Sequence, residues 1–128
     1  MDMKAIRDID KLTEKIIGVA IEVHKKLGPG FLEKVYEKAL IHEFKKVDIK
    51  FSNQSLIKIK YEGLDIGNQK VDFVVENQVI VELKSTSKII ELFQAQLISY
   101  LKASDLKVGL ILNFGRKVLE IKRLVNKL

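Results

Sequence analysis

The sequence predicts an α/β domain in which helices flank a sheet, and three observations carry that expectation. Two stretches of helical spacing lead up to Lys46, short apolar runs of strand character follow Val47, and one more helical stretch separates the third strand from the fourth. The resulting order is helix, helix, strand, strand, strand, helix, strand, strand. A chain of 128 residues fits one domain with a substantial core, and a hydrophobic content of 47% favours a globular fold over disorder. No internal repeat, low-complexity tract or interdomain linker interrupts the pattern.

Asp10 offers an N-cap for a first helix running to about Lys26, with Ile9, Leu12, Ile16, Val19, Ala20, Val23 and Leu27 as its apolar stripe. His24, beside Lys25 and Lys26, reads as a surface or helix-end histidine. Gly28-Pro29-Gly30 breaks the chain, because proline cannot continue the helical ladder and glycine takes the conformations a tight corner needs. A second helix is expected from about Phe31 to Lys46, with Phe31, Leu32, Val35, Ala39, Leu40 and Phe44 apolar. Glu33 and Glu37 share one side of it, with Tyr36 on a neighbouring line. Acidic residues in a first turn also complement the helix dipole, so Glu33 has a structural explanation beside a functional one.

Strand patterning then takes over. Leu56, Ile57, Ile59 and Tyr61 alternate with Lys58 and Lys60, the chain turns at Glu62-Gly63, and Gly67-Asn68 reads as a break. Lys58 and Lys60 make either a basic rim for a phosphate backbone or a solvated strand face. Val71 to Lys84 reads as a hairpin whose apolar run is interrupted by Asp72, Glu82 and Lys84. If Glu76-Asn77-Gln78 is a three-residue loop, Val75 pairs with Val79 and Asp72 falls opposite Glu82. A two-residue turn would instead pair Asp72 with Val81, but no Asn-Gly or Asp-Gly is present to enforce it. Directly opposed residues have Cβ atoms about 5 Å apart, and like charges so placed repel unless a cation lies between them, so the pattern asks for a divalent metal. Strand alternation returns Lys84 to the face of Glu82.

Ser85-Thr86-Ser87 supplies capping hydroxyls for a helix from about Lys88 to Lys102, on which Gln96 and Tyr100 stand four apart on one face. Lys107 to Phe114 is a nearly continuous apolar strand, expected at a position covered on both faces, and Lys117 to Val125 forms the last strand. The absence of cysteine excludes disulfides and thiolate zinc sites and suits a reducing cytosol. With charges where a secretory signal needs an apolar core, and no stretch near the ~20 apolar residues of a membrane span, a cytoplasmic chain away from membranes is expected. A net charge of +6 favours an anionic partner, nucleic acid above all, although the lysines are scattered.

In combination these features resemble the PD-(D/E)XK nuclease superfamily, whose restriction-endonuclease-like core is a mixed sheet flanked by helices in α-β-β-β-α-β order. Asp72 and Glu82-Leu83-Lys84 match its aspartate and acid-x-lysine in order, strand placement and separation. Gln96 to Tyr100 looks like the Gln-x-x-x-Tyr helix motif of the exonuclease branch related to the bacterial recombination helicase-nucleases. Gly30-Phe31-Leu32-Glu33-Lys34-Val35-Tyr36 resembles the motif of the small GxxExxY proteins. Val71 replaces the proline of the superfamily's name, a position that does no chemistry.

The resemblance implies a nuclease in which Asp72, Glu82, the Leu83 carbonyl and Glu33 bind Mg2+ or Mn2+. Lys84 would orient a water or stabilise developing charge, while Gln96 and Tyr100 position the substrate backbone or the metal's surroundings. Gly30, Tyr36 and Glu37 belong to the motif region and are candidates for positioning the substrate, with Glu37 an additional acid. Nucleic acid is the partner implied, DNA as the first expectation, and the small surface of the chain leaves room for a homodimer. A catalytically silent nucleic-acid-binding or protein-interaction module on the same fold is the alternative, and another anionic substrate is a third reading.

Overall fold

A computed structural model describes residues 2–126. Two helices lead, α1 (Met3–Leu27) and α2 (Glu33–Lys46), followed by strands β1 (Phe51–Tyr61), β2 (Leu64–Val75) and β3 (Val79–Lys84), helix α3 (Glu91–Ser104), and strands β4 (Val108–Asn113) and β5 (Glu120–Val125). The strands form one mixed sheet in the order β1-β2-β3-β4-β5. Every neighbouring pair is antiparallel except β3–β4, which is parallel because α3 carries the chain back between them. Helices α1 and α2 cover one face of the sheet and α3 the other.

The α1 stripe buries Ile9, Thr13, Ile16, Ala20, Val23 and His24. Asp2, rather than Asp10, caps the helix by accepting the Ala5 N–H at 2.8 Å. Asp10 lies within the helix and pairs with Arg123 of β5 at 2.8 Å; an interior aspartate is tolerated there because it has a partner on the sheet. His24 is buried, not superficial: its Nε2 lies 2.8 Å from the Arg116 carbonyl. On α2 the buried residues are Tyr36, Leu40 and Phe44, whereas Phe31 and Val35 are exposed and Leu32 is 81% exposed. The inward face is thus rotated towards Tyr36, whose ring stacks on Phe114 at 4.5 Å between centroids.

All six residues of β4 are buried, as its continuous apolar run predicted. Leu110 and Leu112 join the cluster beneath α1 and α2, while Ile111 packs with Leu97 and Leu101 of α3. The β2–β3 hairpin has the three-residue loop: Val75 opposes Val79, and Glu76 and Asn77 both take left-handed backbone conformations. β2 does not break at Gly67-Asn68. It pairs with β1 back to Leu64, absorbing the irregularity in a register shift between Ile59 and Lys60.

Strand alternation skips a step at Asp72. Phe73 and Val75 pack beneath α1 and α2, yet Val71 packs with Ile57 and Leu97 on the α3 side. Serine and threonine do not cap α3, which starts at Glu91 after Ile90 without a side-chain cap. Ser85 Oγ instead donates to the Phe31 carbonyl (2.6 Å) and Thr86 Oγ1 to that of Lys88 (2.9 Å), tying down the approach to the helix.

Candidate active site

The candidate residues gather where β2 and β3 part. Backbone pairing between these strands ends at Phe73 and Val81. Two residues on, the Leu83 N–H would have sought the β2 backbone, but it donates to Asp72 Oδ2 at 2.7 Å. The carboxylate therefore replaces a ladder bond and is drawn in between the strands. Continuing the register sets Asp72 opposite Glu82, and the two side chains are hydrogen-bonded. Burial above all, then the Asp72 charge and that hydrogen bond, push the Glu82 carboxyl up to about 9, with Lys84 acting in the opposite sense. Glu82 accordingly carries a proton at neutral pH and donates it towards Asp72. A neutral Glu82 removes the repulsion expected between the two acids.

A cleft of about 250 Å³ opens on the α3 side, lined by Gln69, Lys70, Glu82, Lys84, Phe93, Gln96, Leu97, Tyr100 and Ile111. Lys84 shares the face of Glu82, and its ammonium lies over the Phe93 ring at 4.1 Å from the centroid. One turn of α3 separates Gln96 from Tyr100, and both line the cleft as their spacing predicted. Burial first, and the Glu82 charge second, raise the Tyr100 phenol above its ordinary value. It remains protonated and able to donate.

Glu33 reaches the same electrostatic neighbourhood from the start of α2. Its carboxyl is raised mainly by burial, lowered by Lys84, and raised again by Asp72 and Glu37. Among the described residues no three His, Asp or Glu side chains converge tightly enough to hold an ion by themselves. Asp72 and Glu82 form a close pair, and Glu33 stands outside it. Glu37 accepts from Asn53 Nδ2 at 2.7 Å and Gln54 Nε2 at 2.6 Å.

Gly30 and Tyr36 act on the loop rather than in the cleft. Gly30 takes φ +113, open to glycine and costly for other residues. Tyr36 is fully buried; its hydroxyl donates to the Gly28 carbonyl at 2.6 Å and accepts the Phe31 N–H at 3.2 Å. A substrate-positioning role for Tyr36 is therefore replaced by a loop clamp that fixes where α2, and so Glu33, begins. Lys58 and Lys60 are exposed on β1 and do not line the cleft.

Sequence patterning misses Gln69, Lys70, Phe93, Asn53 and Gln54. The first two follow the apparent Gly67-Asn68 break, and Phe93 has the spacing of an ordinary apolar stripe. Another clamp escapes it as well. Buried Asn113 accepts from Thr86 N and Gly115 N at 3.0 Å each, and donates to the Thr86 carbonyl (3.1 Å) and Glu120 Oε1 (3.0 Å). Glu120 Oε1 also accepts the Ile89 N–H at 3.0 Å, so the loop from Lys84 to α3 is fixed at both ends.

The family model described as PD-(D/E)XK nuclease superfamily matches residues 10–124. A solved structure described as that of SSO0001 is similar in fold, with 16% identity and a TM-score of 0.56. The match covers 74% of this chain and 50% of the other, so this chain spans half of that protein. No curated protein matches the sequence. Among the described residues, no helix is long and apolar enough to cross a membrane.

Proposed function

Because the chain belongs to the PD-(D/E)XK nuclease superfamily, we propose that it hydrolyses phosphodiester bonds of nucleic acid with Mg2+ or Mn2+ as cofactor, DNA being the first substrate to test. The observation that carries this reading is the Asp72–Glu82 pair, two carboxyl groups opposed across β2 and β3 beside a lysine, with a proton held on Glu82. Such an oxygen donor set suits a hard dication, which would take the place of that proton. Asp72, Glu82 and the Leu83 carbonyl would hold the ion, with Glu33 an outer oxygen donor from α2. A strand residue directs its N–H and C=O to the same neighbour, so the Leu83 carbonyl faces the gap in which Asp72 accepts its N–H.

When bound, the ion supplies Lewis-acid activation of a water and neutralises charge on the phosphoryl oxygens. The chain's own groups do the rest. Lys84, held over Phe93, donates to the attacking water or to a non-bridging phosphoryl oxygen. Gln96 and Tyr100 donate from α3 to the substrate backbone, and Gln69 and Lys70 form the opposite wall. Gly30, Glu33 and Tyr36 support assignment to the GxxExxY group, since the glycine and tyrosine set the loop that presents the glutamate. Gln96 and Tyr100 support the Gln-x-x-x-Tyr branch. A homodimer belongs to this reading because one chain of this size embraces little of a duplex; a monomeric mass for the DNA complex by light scattering would remove it.

The test is cleavage of labelled single- and double-stranded DNA and RNA at low salt with Mg2+ or Mn2+, comparing wild type with Glu82→Ala and Lys84→Ala. Cleavage by wild type alone is expected. Equal cleavage by all three identifies a contaminant. No cleavage, together with steeply salt-dependent binding by all three, replaces the nuclease reading with a silent binding module.

A further inference from the structure

Asn53 and Gln54 are consecutive on β1, and successive side chains of a regular strand point to opposite faces. These two converge. Gln54 takes φ +52, a left-handed conformation that a residue with a side chain adopts only at a cost. The step repairs no slip in pairing, because the register is the same on both sides of it: Asn53 opposes Phe73 and Ser55 opposes Val71. It lies directly across from Asp72, where the alternation of β2 also skips.

What the step achieves is visible in the hydrogen bonds. Asn53 Nδ2 donates to Glu37 Oε2 at 2.7 Å and to the Asp72 main-chain carbonyl at 3.0 Å. Gln54 Nε2 donates to the same Glu37 oxygen at 2.6 Å and to Asp72 Oδ1 at 3.2 Å. Each amide nitrogen has two hydrogens, and all four are used. The other Asp72 oxygen is already held by the Leu83 N–H.

We propose that Asn53 and Gln54 are positioning residues for Asp72, anchored on Glu37, and that the left-handed step exists to bring both amides to bear on it. This rests on the nuclease reading of the pair Asp72 and Glu82. With main chain and both carboxylate oxygens tethered, Asp72 has one orientation, turned towards Glu82. Glu37 is then an anchor and not an ion ligand. Its Oε2 is taken up by the two amide donors.

Gln54→Gly suits the backbone and deletes the amide, whereas Gln54→Asn tolerates the left-handed conformation and keeps an amide on a shorter arm. Two readouts are needed. In the metal-free protein, hydrogen exchange at the Leu83 amide reports whether Asp72 is in place, with the Leu110 amide of β4 as the control for global opening. Calorimetric titration with Mn2+ reports ion affinity. For Gln54→Gly we expect Leu83 exchange to rise roughly tenfold relative to Leu110, and Mn2+ affinity to fall about tenfold. Gln54→Asn should recover part of both.

Unchanged exchange and unchanged affinity in Gln54→Gly overturn the proposal while leaving the nuclease reading standing. If the wild type binds no Mn2+, the nuclease reading falls and the positioning role falls with it, even where Leu83 exchange responds. Faster exchange with unaltered Mn2+ affinity also overturns it, because Asp72 would then bind the ion without being held.

Discussion

Replacing Glu82 by glutamine isolates the Glu82 proton. Glutamine keeps a donor directed at Asp72 but cannot titrate. In the wild type, the folded chain holds a proton on Glu82 up to about pH 9, whereas the unfolded chain releases it near the ordinary value of 4.5. Between those limits the native state binds more protons than the unfolded state, so stability is greatest below pH 4.5 and declines as pH rises towards 9. Each pH unit inside the window is worth at most about 1.4 kcal/mol, so a change from pH 5.5 to 8.0 removes at most about 3.4 kcal/mol. Glu82 borders an open cleft, where water screens part of the penalty, and we expect a loss of about 1 to 2 kcal/mol. For a chain of this size that corresponds to roughly 3 to 8 °C in Tm.

The assay is urea unfolding with EDTA at both pH values, for wild type and Glu82→Gln. Groups that titrate elsewhere cancel in the difference between the two proteins, leaving the Glu82 contribution. Adding Mg2+ at pH 8.0 should restore stability to the wild type by about 2.7 kcal/mol at a hundredfold excess over Kd, and should restore much less to the variant. Equal pH dependence in the two metal-free proteins would refute the retention of a proton on Glu82 in the folded chain, whatever either protein does to DNA.

Further expectations follow from single contacts. Lys84→Ala should abolish cleavage yet retain Mn2+-induced stabilisation, since the lysine acts on water and phosphate; calorimetry alongside a gel assay separates the two effects. Tyr36→Phe keeps the Phe114 stack and loses the bonds to Gly28 and Phe31; a destabilisation of about 1 to 2 kcal/mol in urea melts is expected. A β-carbon at Gly115 would lie 2.3 Å from the Thr86 carbonyl oxygen and 2.4 Å from its nitrogen. Gly115→Ala must therefore push the loop before α3 aside, at a cost of about 2 kcal/mol or more in thermal unfolding. Asn113→Leu leaves the Thr86 and Gly115 amides without their acceptor and should cost roughly 2 to 4 kcal/mol by the same measurement.

Local chemistry made much of this protein legible in its sequence. Periodicity found each helix and the central hairpin, though it started α1 at Asp10 instead of Met3 and broke β2 at Gly67-Asn68. Apolar stripes at helical spacing and apolar alternation reflect burial against a neighbour and survive in any fold that buries them. The lack of Asn-Gly or Asp-Gly at the hairpin was enough to choose the three-residue loop, and with it the register that opposes Asp72 to Glu82. Spacing alone also brought Gln96 and Tyr100 to one line of α3.

The tertiary structure decided what depends on a partner distant in sequence. Asp10 had the chemistry of a cap, but Arg123 gave it a place inside the helix. Tyr36 looked like a group for the cleft until Phe114 covered its ring and Gly28 took its hydroxyl. Gln69 and Lys70 line the cleft because β2 runs through a glycine that reads as an end. The Glu82 proton depends on burial beneath α3 and on Asp72 together, and neither is encoded within reach of residue 82. Sequence thus settled which residues could share a face, since backbone geometry repeats every two or 3.6 residues. Which of those faces closed on one another, and how strongly each charge was desolvated, was set by long-range packing that no local period records.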